Sequence, residues 1–147
     1  MALTVRRITL WRREVDNLPG VLASTLEPLA GAGADLRLVM GYRFPEAPTR
    51  AAIEVFPVSG KKAMAAAQAA GLHAFELASL LVEGDNRPGL GAAIGRALAE
   101  AGINIVFLVA QAIGRRYSAV IGFESETALA AATKVIKAAA APPKKRR

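Results

Sequence analysis

The sequence predicts an α+β protein built from two copies of one β-α-β-β-α unit, with the helices on one face of each antiparallel sheet. Two observations predict this fold. An internal repeat runs through almost all of the 147 residues, and strand-like and Ala-rich helical segments follow in the same order in both copies. The composition, 53% hydrophobic and 21% charged, is typical of a globular protein, and the length suits two small domains.

The repeat is clearest in a six-residue segment at the end of the first predicted strand of each copy. Asp-Asn-Leu-Pro-Gly-Val at 16–21 and Asp-Asn-Arg-Pro-Gly-Leu at 85–90 agree at four of the six positions. The same offset aligns Gly-Ala-Asp-Leu at 33–36 with Gly-Ile-Asn-Ile at 102–105. The repeat therefore predicts three segments, which are a first repeat at 1–76, a second repeat at 77–141 and a basic flexible tail at 142–147.

The first repeat has the less regular pattern. Its predicted elements are a strand at 5–14, a helix at 19–31, strands at 34–43 and 50–58 and a helix at 60–70. Pro28 lies inside the predicted helix, where it removes a backbone hydrogen bond, so we expect a kink or an early end. Residues 71–76 are a candidate fourth strand for this repeat.

The second repeat shows the unit more clearly. Its predicted elements are a strand at 77–84, a helix at 88–101, strands at 103–109 and 117–123 and a helix at 126–139. Pro88 suits the first position of a helix, and residues 103–109 are apolar on both faces, which predicts a strand that is covered on both sides or lies at a subunit interface. No strand follows residue 139, so we expect this sheet to borrow an edge from the other repeat or from a second chain.

Composition excludes several classes of function. The chain has no Cys and a single His, which excludes disulfides, thiol nucleophiles and Cys/His zinc sites. We expect no metal, no cofactor and no enzymatic activity, and we interpret His73 as a structural side chain. No apolar run approaches the roughly 18 residues of a membrane span, and the start of the chain does not resemble a signal peptide, so a cytoplasmic location is expected.

The net charge of +7 raises the alternative of a nucleic-acid partner. Four of the positive charges lie at Lys144–Arg147, in the predicted tail, and the others are scattered along the chain. RNA-binding domains with a related strand order stack bases on exposed aromatic residues, and the strands at 51–58 and 117–123 lack that pattern. A nucleic-acid partner is therefore not favoured.

Residues 84–105, GDNRPGLGAAIGRALAEAGINI, resemble the ACT domain in their loop motif, amphipathic helix and Gly-Ile-Asn-Ile segment. The resemblance covers nearly the whole chain as a tandem pair. ACT domains are ferredoxin-like β-α-β-β-α-β modules that commonly bind amino acids and regulate metabolic enzymes. The resemblance implies a stand-alone amino-acid-binding regulatory protein that acts through association of ACT units, as a homodimer, with a regulated metabolic enzyme as a candidate partner.

The loop motif also has a chemical interpretation of its own. A helix N-terminus after Pro88-Gly89 attracts a carboxylate, Asp85 is suited to an ammonium group, and Asn86 and Asn104 offer both donors and acceptors. The predicted ligand-binding residues are Asp85, Asn86, Arg87, Pro88, Gly89, Leu90 and Asn104, in a pocket completed by a neighbouring unit. A weaker site is predicted in the first repeat at Asp16, Asn17, Leu18, Pro19, Gly20 and Asp35.

Both the loop motif and a glycine pair in the following helix also have interpretations that involve no ligand. Asp, Asn and Pro-Gly begin helices in many proteins that bind nothing, so the chain could instead be a structural subunit whose ligand site has decayed. Gly91-x-x-x-Gly95 lies inside a predicted helix and does not follow a strand as a dinucleotide fingerprint does, so we interpret it as a site of close helix packing.

Overall fold

The structure, a computed structural model, describes residues 3–140, and the predicted tail at 142–147 lies outside them. Eight strands and four helices are present in that range. They are β1 Thr4–Ile8, β2 Trp11–Asp16, α1 Val21–Gly31, β3 Leu38–Arg43, β4 Arg50–Phe56, α2 Lys61–Ala69, β5 His73–Ala74, β6 Ala78–Asp85, α3 Leu90–Glu100, β7 Phe107–Ile113, β8 Arg116–Phe123 and α4 Glu126–Ala140. Among these helices, none combines the length and the apolar character that crossing a bilayer requires.

The described residues form two compact units, which we call the inserted unit (residues 9–76) and the flanking unit (residues 3–8 and 77–140). Each contains one four-stranded antiparallel sheet, with strand order β3-β4-β2-β5 in the inserted unit and β1-β6-β8-β7 in the flanking unit. Both orders are ferredoxin-like. The predicted α+β class is confirmed.

The predicted strand at 5–14 is wrong as a single element, because the chain changes sheets at Thr9 and Leu10. The first part, β1, pairs with β6 from Thr4 opposite Glu83 to Ile8 opposite Ser79, whereas β2 pairs with β4. No strand follows α4 in the described residues, so without β1 the strand β6 would lie at the edge of its sheet. Its backbone N–H and C=O groups on that side would then be unpaired. The borrowed edge therefore comes from the chain's own N-terminal strand, and the inserted unit begins at Thr9.

Two kinds of contact hold β1 in the flanking unit. Leu3 is buried in the core of that unit, and Val5 packs against the same core. Arg7 donates hydrogen bonds to both carboxylate oxygens of Glu126, the first residue of α4, and this bonding lowers the pKa of Glu126. A carboxylate at that position also complements the positive end of the helix dipole.

The first three helices begin one or two residues later than the sequence predicts, whereas α4 begins at Glu126 as predicted. α3 starts at Leu90, with Gly89 as its N-cap in the left-handed conformation at φ +82°, so Pro88 lies in the turn before the helix. A left-handed N-cap needs glycine, and this requirement moves the start past the proline. α1 continues through Pro28 to Gly31 with Leu29 fully buried, so the expected early end does not occur.

The apolar segment predicted as a strand at 103–109 is displaced. The strand β7 begins at Phe107 and continues to Ile113, while Val106 makes a single backbone hydrogen bond to Gly122. β7 is an edge strand, paired only with β8 in its sheet. Large apolar side chains are exposed on and just before this edge: Ile105, Val106, Leu108, Val109 and Ile113.

Candidate functional site

The loop between β6 and α3 is held by backbone and side-chain contacts at its first residues. The amide of Asn86 donates to the carbonyl of Arg115 at 2.8 Å. Asp85 ends β6 opposite Arg116, and Oδ1 of Asp85 lies 3.6 Å from a guanidinium nitrogen of Arg116. This ion pair is solvent-exposed, so Asp85 remains accessible, but it already has a cationic partner.

The start of α3 has no side chain that caps it. The N-cap residue Gly89 makes no side-chain capping hydrogen bond, and no acidic residue lies in the first turn. The amide of Leu90 donates to the Arg87 carbonyl at 3.2 Å, and the amides of Gly91 and Ala92 follow it. The first backbone N–H groups of a helix have no acceptor within the helix, and they attract an anion together with the helix dipole. The backbone at Gly89 has nothing within 4 Å of a Cβ position, which leaves room for a ligand to approach.

Asn104 does not lie at the same end of the unit as this loop. It follows the C-terminus of α3, and an 11-residue helix is about 16 Å long. Asn104 instead lines a groove between one side of α3 and the segment that leads into β7, with a volume of about 450 Å³. A single unit therefore does not bring Asn86 and Asn104 together around one small ligand.

The same groove is lined by Gly91 and Gly95, which we expected to mark close helix packing. Within the described residues of one chain no helix packs on them, because a Cβ built at Gly95 meets nothing within 4 Å and one at Gly91 meets only the Tyr117 hydroxyl at 3.9 Å. A comparison of the two repeats would have singled out these two glycines, since Leu22 and Leu26 stand at the corresponding positions of the first repeat.

The residues of the weaker predicted site are more occupied by internal contacts. Asp16 pairs with Arg50 at 2.8 Å, and the Asn17 side chain donates to the Pro48 carbonyl at 3.4 Å. For Asn86, in contrast, no side-chain hydrogen bond is present within residues 3–140. Gly20 takes the same left-handed N-cap conformation as Gly89, and Asp35 lines a different pocket together with Lys61 and Lys62.

A buried polar cluster lies on the sheet of the inserted unit. Glu54 is only 1% exposed and stands directly opposite Arg12, whose guanidinium lies over the rings of Phe75 and Phe44 at 4.6 and 5.6 Å. Burial raises the pKa of Glu54, while its hydrogen bond with Tyr42 and the charge of Arg12 act in the opposite direction. Burial is also the main cause that raises the pKa of Tyr42 to about 12.

Glu54→Gln is expected to raise the melting temperature at about pH 8 and to have little effect at about pH 4. Because the pKa of Glu54 is raised, the folded protein holds this proton more tightly than the unfolded chain does. Wild-type stability therefore falls as pH rises from the ordinary carboxyl pKa through the raised one, and a neutral Gln removes that loss. Thermal melts at both pH values check this, with the exposed Glu14→Gln as control; an equal shift at both would contradict it.

The described residues contain no group of three or more His, Asp or Glu side chains that could hold a metal ion. His73 lies exposed in the short edge strand β5, where it pairs with Arg12 of β2.

Comparison with known proteins identifies the fold. No protein-family model matches the chain, and no curated protein matches it. Among solved structures, a protein from Bacteroides thetaiotaomicron is similar, with a TM-score of 0.72, 17% identity and 88% of each chain covered.

Two further structures are similar over almost the full length. The ligand-free regulatory subunit of aspartate kinase from Thermus thermophilus has a TM-score of 0.61 at 18% identity, and aspartokinase alpha and beta subunits give 0.61 at 20%. Both matches cover 95% of this chain and 97% of the other. At these identities the likeness establishes the fold alone, and it agrees with the two ferredoxin-like repeats that the sequence predicts.

Proposed function

We propose that this protein is a regulatory module, not an enzyme, that binds a free α-amino acid and acts through association of ACT-type units. The observation that carries the proposal is the uncapped start of α3 directly after the Asp85–Gly89 loop, which offers the N–H groups of Gly91 and Ala92 to a carboxylate beside an accessible Asn86. The Leu90 amide is already engaged, since it donates to the Arg87 carbonyl at 3.2 Å. The similar regulatory subunits of aspartate kinase support a regulatory role and make a metabolic enzyme a candidate partner.

The site is shared between two copies of the chain in this proposal. The loop and Asn104 lie at opposite ends of α3, so one unit supplies only half of the predicted residues. Many homodimers have a two-fold axis, and antiparallel pairing of two β7 edges turns the second copy end for end. Each Asn86 then lies on the side of its partner's Asn104, which allows both to contact one amino acid.

The exposed edge of the flanking unit supports this association. Five large apolar side chains on and just before this edge are exposed, with fractions between 37% at Val109 and 70% at Ile113. Monomeric proteins rarely expose large apolar patches. An unpaired edge strand also presents backbone donors and acceptors to a second strand. Pairing of two β7 strands would bury the apolar side chains and satisfy those groups together.

Asn86→Ala combined with Asn104→Ala is expected to abolish amino-acid binding without unfolding the protein. Both residues lie outside the buried core, so their loss removes ligand contacts and few internal ones. A ligand at 100 times its Kd adds about 2.7 kcal/mol to wild-type stability, which a melting curve detects easily. The measurement is the thermal shift produced by each amino acid of a panel.

The matched control is Asp35→Ala, the first-repeat counterpart of the Asn104 change. It should leave the thermal shift almost unchanged, because the first-repeat loop is engaged in internal contacts at Asp16 and Asn17. No shift with any amino acid at millimolar concentration, or an unchanged shift in the double variant, would overturn the proposed function.

The nucleic-acid alternative receives no support from the aromatic residues of β4 and β8. Phe56 of β4 and Tyr117 and Phe123 of β8 are all buried, at 9%, 8% and 0% exposure. Bases stack on exposed rings, so these strands do not offer the platform that RNA-binding domains of this strand order use. A structural subunit with a decayed site is the outcome expected if no ligand binds.

A further inference from the structure

The groove beside α3 has one wall, formed by α3 itself, that has no role in the proposed function. One wall consists of Gly91, Gly95 and Ala99, and the other includes Ile105 and Leu108. Within the described residues its lining contains no charged side chain, and Asn104 supplies its polar side chain. The volume of about 450 Å³ is sufficient for an amino-acid side chain.

The groove begins where the proposed carboxylate contact lies. Gly91 is the second residue of α3, and Gly95 follows one turn later, about 6 Å further along the helix axis. An amino acid whose carboxylate meets the first turn of α3 can therefore extend its side chain past these two glycines. That path is about as long as a leucine or phenylalanine side chain.

The inserted unit has larger side chains at the corresponding positions. Leu22 and Leu26 stand where the flanking unit has Gly91 and Gly95, and Leu26 packs against the core of the inserted unit. The two repeats therefore differ in the one wall that borders the ligand path. This difference adds a steric reason for the weaker site predicted in the first repeat.

We propose that this groove is the side-chain subsite of the amino-acid site and that it selects an uncharged aliphatic or aromatic side chain. The inference rests on the proposed function. A charged side chain would lose its hydration against an apolar wall without gaining a partner, whereas an apolar side chain gains from leaving water. The subsite belongs to the flanking unit, so each chain binds one such ligand there.

The test is isothermal titration calorimetry of the full chain with leucine, phenylalanine, glycine, lysine and aspartate. Leucine or phenylalanine should bind at least about tenfold more tightly than the other three, since a well-filled apolar pocket discriminates by such factors. Lysine or aspartate binding most tightly would overturn the subsite while the proposed function stands. Binding by none of the five would overturn the subsite, and the proposed function would fall with it if the full amino-acid panel also gave no thermal shift.

Gly95→Leu copies the wall of the first repeat and fills the groove. The variant should fold with an unchanged or higher melting temperature, because a Cβ at this position meets nothing within 4 Å and glycine disfavours helix. Leucine affinity should fall at least about tenfold while that of glycine changes little. Gly95→Ala is the milder variant, with a smaller loss in the same direction.

Unchanged leucine affinity in both variants would overturn the subsite. If the variants kept leucine affinity but sedimented as a different oligomer, the groove would hold a second copy of the chain and the proposal would also be wrong.

Discussion

Deletion of residues 1–8 is expected to unfold the flanking unit, although these residues precede it by a whole unit in the sequence. β1 supplies five residue pairs to β6 and places Leu3 in the core. Burial of one large apolar side chain contributes about 1.5–3 kcal/mol, a large fraction of the roughly 5–15 kcal/mol by which a domain is stable. Exposure of the β6 edge adds to that loss.

Hydrogen exchange measures this effect element by element. Amides of β6 and β8 should lose protection in the deletion variant, since both strands lie in the sheet that β1 completes. The control is Arg7→Ala, which removes the exposed contact to Glu126 but keeps β1, and its effect should be small. A deletion variant that melts like the wild type would show that β1 is not needed for this sheet.

Leu108→Glu is expected to separate paired copies of the chain into monomers. Leu108 lies on the exposed β7 edge and is 46% exposed, so in a single chain the change costs little. In a pair of β7 edges two carboxylates would be buried close together without cations, which is strongly unfavourable. Sedimentation at micromolar concentration should show a dimer for the wild type and a monomer of about 15 kDa for the variant.

The matched control for that change is Met64→Glu on α2, where the side chain is 41% exposed. It adds the same charge to a similarly exposed apolar position of the inserted unit, which does not contain β7, so the dimer should persist. A monomeric wild type, or equal dissociation by both substitutions, would contradict association through the β7 edge.

Most of the fold was predictable because the repeat shows the order of the elements twice. The exception is the first strand. Residues 4–16 have a continuous strand-like pattern, and the crossing between sheets occupies only Thr9 and Leu10, with no Gly or Pro to indicate a turn. The sheet to which such a segment belongs depends on an edge more than sixty residues away, which local periodicity does not report.

The loop of the candidate site was predictable from the sequence, whereas the groove beside α3 was not. Asp85, Asn86 and Gly89 form a local turn whose chemistry follows from the residue types. Gly91 and Gly95 look the same in sequence whether another element packs on them or not, and only the position of the segment before β7 shows that they are open. The start of β7 at Phe107 depends likewise on its pairing with β8.

In the proposed dimer, one amino acid is bound by the loop of one copy and Asn104 of its partner. Mixing the single variants Asn86→Ala and Asn104→Ala tests it most directly, with binding measured by calorimetry. Each variant alone should bind no amino acid, whereas an equimolar mixture should recover about one quarter of the wild-type sites, because half of the randomly paired dimers contain one intact site. A mixture that binds no more than the separate variants would contradict a shared site.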